Sequence, residues 1–364
     1  MNPRPSEAVL HFFPHFAEDV SQYPFAIELR RLGVPHRLFP YVVNRRYQTN
    51  FGLLFSVYPR LIWSALRYGV LSMVLTRPRP SAVIVGTEVE ALIFGLIRAL
   101  LRLRTLVVFE TLIVSIRTSP LARTLVRAYF GLIFRLIDIG ICHSAAEAEH
   151  FRTAYPQARC RFVVIPFGTT VHNREVALAE CQAASREGAV VTAGRSQRDY
   201  RTLAEAVAPL PCRLRIICDP PGPVAGLDAS GNVEIIRNCF DWNYIKELAS
   251  ALFVVIPLSS DDISAGQMVL LQARALGKAV IISRTRTTLE YAVDGEDALL
   301  VPLHDVDTLR AAIRRLLEDT PLRDRIALAS LRRFEREHST EAYMQALVRI
   351  ISDHASGSAA AAAS

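Results

Sequence analysis

The sequence predicts an α/β protein built from two doubly wound, Rossmann-like parallel sheets. Three observations carry this reading. Short β-branched or apolar runs alternate with helical stretches along the whole chain. Its 364 residues exceed the size at which one core usually suffices, so two domains are expected. A hydrophobic fraction of 51% with only 17 Gly and 20 Pro indicates a packed globular chain.

Taken in order, the first half offers strands at AVLHFF, HRLFP, AVIVG, TLVVFE, IGICHS and FVVIPFG, with helices over roughly 20–33, 50–76, 88–102, 118–136 and 144–154. The second half repeats the habit with AVVTAG, RLRIICD, VEIIRN, LFVVIPL, AVIISR and ALLVPL. A polar stretch without strong periodicity, 166–188, marks the boundary. The expected division is a first domain over 1–168, a second over 169–335, a C-terminal helix over 336–354 packing back toward the first, and a disordered tail over 355–364 ending in GSAAAAAS. Two such sheets facing each other would share a cleft at their carboxyl edges, where ligands of open α/β sheets bind.

Six cysteines without a C-x-x-C pair fit buried thiols in a reducing compartment better than a disulfide frame or zinc site. No apolar h-region precedes the first acidic residues, so a cytoplasmic location is expected. Charge is unevenly placed. Residues 1–170 carry 20 Arg, no Lys and 10 acidic residues, a balance of +10 against −3 for the remainder. The arginines lie inside apolar stretches such as FGLLFSVYPRLIWSALRYGVLSMVL, not in a polar stripe with stacking aromatics, which argues against nucleic acid. Two readings remain. Such helices bind an anionic membrane from the inner face of the cell as a peripheral protein, or they simply cover a sheet with snorkelling arginines. Pro59, Arg60 and Arg67 interrupt the longest run, Phe51 to Thr76, and argue against a span.

Chemistry is expected just after the strands. Behind AVVTAG, whose last residue is Gly194, the residues Arg195, Arg198 and Arg201 crowd one turn, with Asp199 placed to cap the next helix. This is either a diphosphate seat of guanidinium forks beside helix N–H groups or a solvated surface. A second anion seat follows LFVVIPL, where SSDDISAGQ opens a helix. Ser264 and Gln267 read as a capping box, with Ala265, Gly266 and Gln267 in the first turn and Gly266 leaving the N–H groups open to an anion. Gln272, inside the apolar run of that helix, needs a hydrogen-bond partner.

In the first half, FFPHFAEDVSQYP stands after the first strand, and its His15 either faces the cleft or is a solvated loop residue. Glu110 ends LVVFE and is either a site residue or a helix-capping anion.

The run from Val254 to Asp319 resembles the C-terminal half of family-4-type, GT-B fold glycosyltransferases, with their P-S-x-x-E-G-x-G-x-x-x-L-E-A-M-A-x-G-x-P-V-I motif. Pro257, Leu271, Ala273, Gly277, Val280, Ile281, Glu290, Asp294, Gly295, Leu300 and Val301 match. AGRSQRDYRTLAEA is similar to the family's Gly-Arg turn, with Arg195 on the family arginine and Arg198 on its lysine, and FVVIPFGTTV resembles the inter-domain linker. The resemblance covers about residues 135–350, and the first 130 only by pattern. It implies a retaining, metal-independent transferase with a UDP- or GDP-linked nucleotide-sugar donor, no other cofactor, and a glycan or lipid-linked membrane acceptor, as in surface-polysaccharide or glycolipid synthesis. The family's two motif glutamates fall on Ser264 and Gln272. A Gln amide still bonds ribose hydroxyls, whereas Ser264 lacks the carboxylate, which Asp261 or Asp262 would have to supply instead. Gln272 would then hold the ribose, Glu290 the phosphates or ribose, Arg195, Arg198 and Gly266 the diphosphate, and Glu110 or His15 the acceptor side. Two rivals are kept: an epimerase of the same fold, and a catalytically inactive GT-B protein that binds a nucleotide or a partner.

Overall fold

The computed structural model describes residues 9–13, 23–40, 58–110, 120–183, 188–219, 222–227, 231–261 and 264–361. Two compact units result, one of residues 1–166 and 343–364, the other of residues 167–342.

The first unit holds a six-stranded parallel sheet of β1 (Leu10–Phe12), β2 (His36–Leu38), β3 (Ala82–Val85), β4 (Leu106–Phe109), β5 (Ile139–Cys142) and β6 (Arg161–Val164), in the order β2-β1-β3-β4-β5-β6. Strands β3, β4 and β5 are buried on every residue, as a parallel sheet covered on both faces requires. One face is closed by helices Tyr58–Val70, Glu88–Leu101 and Pro120–Leu136. The other receives helix Pro24–Arg31 and the Tyr343–Ile351 stretch of the helix Thr340–Ala361, whose Tyr343, Met344, Leu347, Val348 and Ile351 pack with Leu10, Phe12, Ile84 and Val108.

Local chemistry explains where these helices begin and how closely they approach. Thr87 and Glu90 form a capping box at the start of Glu88–Leu101, and the fully buried Glu90 carboxylate also accepts the Gly86 N–H. A Cβ at Gly95 would come within 2.7 Å of Leu136 Cβ and 3.2 Å of its carbonyl oxygen, so this glycine lets two helices touch. Arg98 pairs with Asp138 and donates to the Leu136 carbonyl at 2.9 Å, fixing the same junction.

The second unit repeats the plan with β7 (Val190–Ala193), β8 (Leu214–Ile217), β9 (Val233–Ile236), β10 (Phe253–Ile256), β11 (Val280–Ser283) and β12 (Leu299–Val301), ordered β12-β11-β10-β7-β8-β9 and parallel throughout. Counted from its own first strand this is the 3-2-1-4-5-6 order, with the direction of winding reversing between β7 and β10. The two ends of the unit are tied together. Thr169 N–H donates to the His338 carbonyl at 2.9 Å, and the Thr170 and Thr340 hydroxyls lie 2.7 Å apart.

Three expectations are corrected. The stretch 166–188 contains a helix, Arg174–Ala183; its apolar stripe is made largely of small side chains such as the buried Ala177, while Val176 is exposed, which blurs the period. The long helix expected over 50–76 is, in its described part, an α-helix to Val70 followed by a wider π turn, Leu71–Leu75. The helix expected to open on Ser264 starts at Gln267.

Candidate active site

The β7 turn positions Gly194 and Arg198 together. Gly194 takes a φ of +116°, and a Cβ there would lie 2.6 Å from Arg198 Nη2 and 2.9 Å from Cζ. The guanidinium therefore packs onto the bare glycine. Its Nε donates to the Ala193 carbonyl at 2.9 Å and its Nη1 to the Ser196 carbonyl at 2.8 Å. Among the described residues no carboxylate pairs with Arg198, and its neighbours Tyr200, Tyr244 and Cys218 are kept in their neutral forms by burial. Desolvation lowers its pKa, the response of a cation short of counter-charge. Arg195 is exposed, and Asp199 caps helix Tyr200–Val207 by accepting the Thr202 N–H at 3.1 Å.

The turn after β7 is stitched to the loop after β10, its neighbour across the point of reversed winding. Asp199 N–H donates to the Pro257 carbonyl at 3.1 Å, and Ser259 bonds both the Gln197 carbonyl and its side-chain oxygen. His304, from the loop after β12, bridges the Asp199 carboxylate at 2.5 Å and the Ser259 carbonyl at 3.1 Å.

Helix Gln267–Ala275 begins beside this seam. Gly266 is its N-cap at φ +89°, and among the described residues no side chain caps the helix. Thr87, Ser144, Asp199, Thr285, Asp305 and Asp319 cap the helices that follow them, whereas Tyr23 and Phe240, like Gly266, do not. The capping box expected of Ser264 and Gln267 is absent because Gly266, in the left-handed region, turns the chain between them; instead Gln267 Nε2 donates to Ser264 Oγ. Gly266 also has a second role. A Cβ there would meet Ile256 Cγ2 at 3.1 Å and Leu258 Cδ2 at 3.4 Å, so the glycine seats the helix start on the core. Ala265 and Gln267 on either side are buried. The first-turn N–H groups, which have no side-chain acceptor among the described residues, remain suited to an anion.

Gln272 has a partner that sequence reasoning missed. The Tyr244 hydroxyl, from helix Asp241–Ser250, donates to its Oε1 at 3.0 Å. Tyr244 lies within the electrostatic reach of Arg198, while burial raises its own pKa. The same helix, with the end of β9, lines a cavity of about 300 Å³ that includes Asn238, Asn243 and Lys246.

Behind the helix lies a charged network with no counterpart in the expectations above. Arg274 is fully buried and bonds Asp297 at 2.9 Å and the Tyr291 carbonyl at 2.7 Å. Asp297 also binds Arg333 at 2.8 Å and accepts the Val293 N–H. Burial pushes Arg274 down to about 10, opposed by Asp297. Arg333 further donates to the Glu290 carbonyl at 3.0 Å, so the backbone at Glu290 is held by this network. Asp261 accepts from Arg286 N–H at 2.7 Å and Nε at 3.2 Å and is committed there; Asp262 lies outside the described residues.

In the first unit, Glu110 sits immediately after β4 and accepts from the Tyr343 hydroxyl at 2.8 Å. Burial pushes its carboxyl up to about 7, against the pull of the tyrosine bond. The carboxyl is thus held near neutrality, while residues 111–119, which follow it, lie outside the described residues. His15 lies outside the described residues.

Comparison with known proteins agrees with this architecture. Residues 187–319 match the family of glycosyl transferases group 1. Over 227 residues, 59% of the chain, it is 27% identical to the lipopolysaccharide core biosynthesis glycosyltransferase LpsE of Rhizobium meliloti, and spans 65% of that protein's length, under two thirds. In fold it is similar to a sucrose-phosphate synthase from Thermosynechococcus elongatus, at 17% identity and a TM-score of 0.69 over 94% of this chain and 98% of that one. It is also similar to Anabaena HepE in complex with UDP and glucose, at 16% identity and a TM-score of 0.62 over 94% and 99%. The second unit, through residues 187–319, thus carries a group 1 glycosyltransferase domain, and the chain as a whole has the GT-B fold.

Proposed function

We propose that the protein transfers a glycosyl group, with retention, from a nucleoside-diphosphate sugar to a glycan or lipid-linked acceptor in surface-polysaccharide or lipopolysaccharide synthesis. The observation that carries the reading is Arg198: a desolvated cation without a carboxylate partner among the described residues, at the point of reversed winding, beside a helix start that no described side chain caps. A cation and free N–H groups in such a place stabilise a diphosphate.

In this reaction the bond from the anomeric carbon to the diphosphate oxygen breaks and a bond to an acceptor hydroxyl oxygen forms, while the hydroxyl proton leaves with the diphosphate. Negative charge grows on the leaving oxygen, so Arg198, Arg195 and the first-turn N–H groups after Gly266 act most strongly in the transition state. Gln272, oriented by Tyr244, holds the ribose through its amide, and Glu290 stands by the phosphates or ribose. Glu110, poised near neutrality, serves the acceptor side. A second reading, nucleotide binding without turnover, is favoured by one observation: Ser264 replaces the carboxylate that the family resemblance leads one to expect, and Asp261 is already engaged by Arg286.

The test is donor binding by calorimetry beside single-turnover transfer or slow donor hydrolysis, over a panel of UDP- and GDP-sugars. Arg198→Ala should lower turnover more than it weakens donor binding, with Arg198→Lys between the two because it keeps the charge but loses the fork. Tight nucleotide binding without turnover of any donor, with or without a lipid-linked acceptor, would leave only the binding reading.

A further inference from the structure

The helix Tyr58–Val70 and the π turn that extends it wear their apolar side outward. Ile62, Trp63, Leu66, Val70, Leu71 and Leu75 are exposed, Trp63 to 69% and Leu75 to 65%. The face turned to the core buries Ala65, Gly69, Ser72 and Met73, with Leu61, Tyr68 and Val74 partly buried against the same cluster. This orientation is fixed from inside. A Cβ at Gly69 would lie 2.6 Å from Ile97, so the helix is pressed onto its neighbour Glu88–Leu101 along that line. Ser72 Oγ is 2.7 Å from Nδ1 of the buried His11 in β1. The helix cannot rotate its leucines inward without breaking that bond and driving Gly69 from its contact.

An apolar stripe of this length on a surface helix calls for a covering partner. Its charges indicate which. Residues 58–87 contain four arginines, Arg60, Arg67, Arg77 and Arg79, and no acidic residue. Arg60 and Arg67 are exposed on the helix itself, and Glu88, the next carboxylate along the chain, lies beside Tyr58 at the start of the helix. Two copies of the chain meeting about a twofold axis through this stripe would bring these arginines together without a neutralising group on it. An anionic bilayer matches both features, since Trp and Tyr rings settle at its interface, leucines enter the acyl boundary and arginines reach the headgroups. No helix among the described residues is long and apolar enough to cross a membrane.

We propose that the outward face of residues 58–75 docks in the plane of an anionic lipid surface. The proposal goes beyond transfer chemistry and is read without any donor, so it stands or falls independently of the function assigned above. The experiment is flotation of the full chain with vesicles of phosphatidylcholine alone or mixed with phosphatidylglycerol, at low and at high salt, with sedimentation velocity of the same protein without lipid. The wild type should float with anionic vesicles at low salt and be released as salt rises. Trp63→Ser with Leu66→Ser and Leu71→Ser should lower the partition coefficient by about tenfold or more, and Arg60→Gln or Arg67→Gln by about fivefold each at low salt. All these positions are exposed, so the variants should keep the wild-type circular dichroism spectrum and sedimentation coefficient. The proposal is overturned if the wild type stays in the supernatant with anionic vesicles at low salt, or if the triple variant floats as well as the wild type. It also fails if neither floats and the wild type is a dimer that the triple variant dissociates, because a second copy then covers the stripe.

Discussion

The guanidinium of Arg198 occupies the space that a side chain at Gly194 would need. Even a methyl group there would collide with three of its atoms and would also force an L-residue to a φ of +116°. The position therefore controls where the arginine lies.

Gly194→Ala should accordingly weaken nucleotide binding about as much as Arg198→Ala does, roughly ten- to hundredfold for a lost charged hydrogen bond. It should also destabilise the second unit by about 1–3 kcal/mol through the strained backbone. Calorimetric titration and urea unfolding of the two variants side by side check this. Wild-type affinity in Gly194→Ala would detach Arg198 from the nucleotide.

Tyr244 and Gln272 form a pair that double-mutant analysis can separate. Tyr244→Phe removes one hydrogen bond and should cost about 0.5–1.5 kcal/mol in donor binding or in stability. Gln272→Ala should weaken nucleotide binding by about 1–3 kcal/mol, and Gln272→Glu should keep most of the affinity while still accepting from Tyr244. If Tyr244 acts only by orienting the amide, its substitution in the Gln272→Ala background should cost affinity nothing further.

Asp297 stands between two arginines, one of them fully buried. Asp297→Asn leaves Arg274 and Arg333 without their shared counter-charge and should destabilise the second unit by about 3–5 kcal/mol. Arg274→Met should cost less, because Asp297 retains Arg333 and the methionine fills the space. Urea midpoints of the two variants give the order directly.

Glu110 predicts a pH dependence of stability. Its carboxyl is raised from 4.5 to about 7 in the fold, so the folded state holds the proton more tightly than the unfolded chain. The contribution is fully present below pH 4.5 and is lost as pH rises through 7. Glu110→Gln keeps an acceptor for Tyr343 but cannot ionise. The Tm difference between variant and wild type should thus shift in the variant's favour between pH 5 and pH 8, by differential scanning calorimetry; a constant difference would mean that Glu110 titrates as an ordinary carboxylate.

Much of this site could be read from residue order because it is local. Strand interiors such as VVTA at β7 and FVVI at β10 are buried on every residue and announce themselves as apolar runs. Gly194 and Arg198 lie within one turn. What escaped is non-local or hinges on one dihedral. Tyr244 reaches Gln272 from 28 residues away, out of a helix, DWNYIKELAS, with no pattern that marks the tyrosine. Asp297 neutralises an arginine 23 residues earlier that looks, in the sequence, like a solvated residue on an amphipathic helix. The Ser264 capping box failed because spacing alone does not reveal that Gly266 adopts a positive φ between the two residues.

The return of residues 343–351 to the sheet of β1 and β3 bears on the order in which the molecule is made. The second unit is one uninterrupted stretch whose ends are clasped at Thr169 and His338, so it has all of its core once residue 342 has been synthesised. The first unit does not: Leu10, Phe12 and Ile84 wait for Met344, Leu347 and Ile351. During translation, then, the half encoded first is the half completed last. Throughout that interval the β1 and β3 face of its sheet is covered by the helix Pro24–Arg31 but lacks the five apolar side chains of residues 343–351, and a nascent chain in this state is a natural client for chaperones.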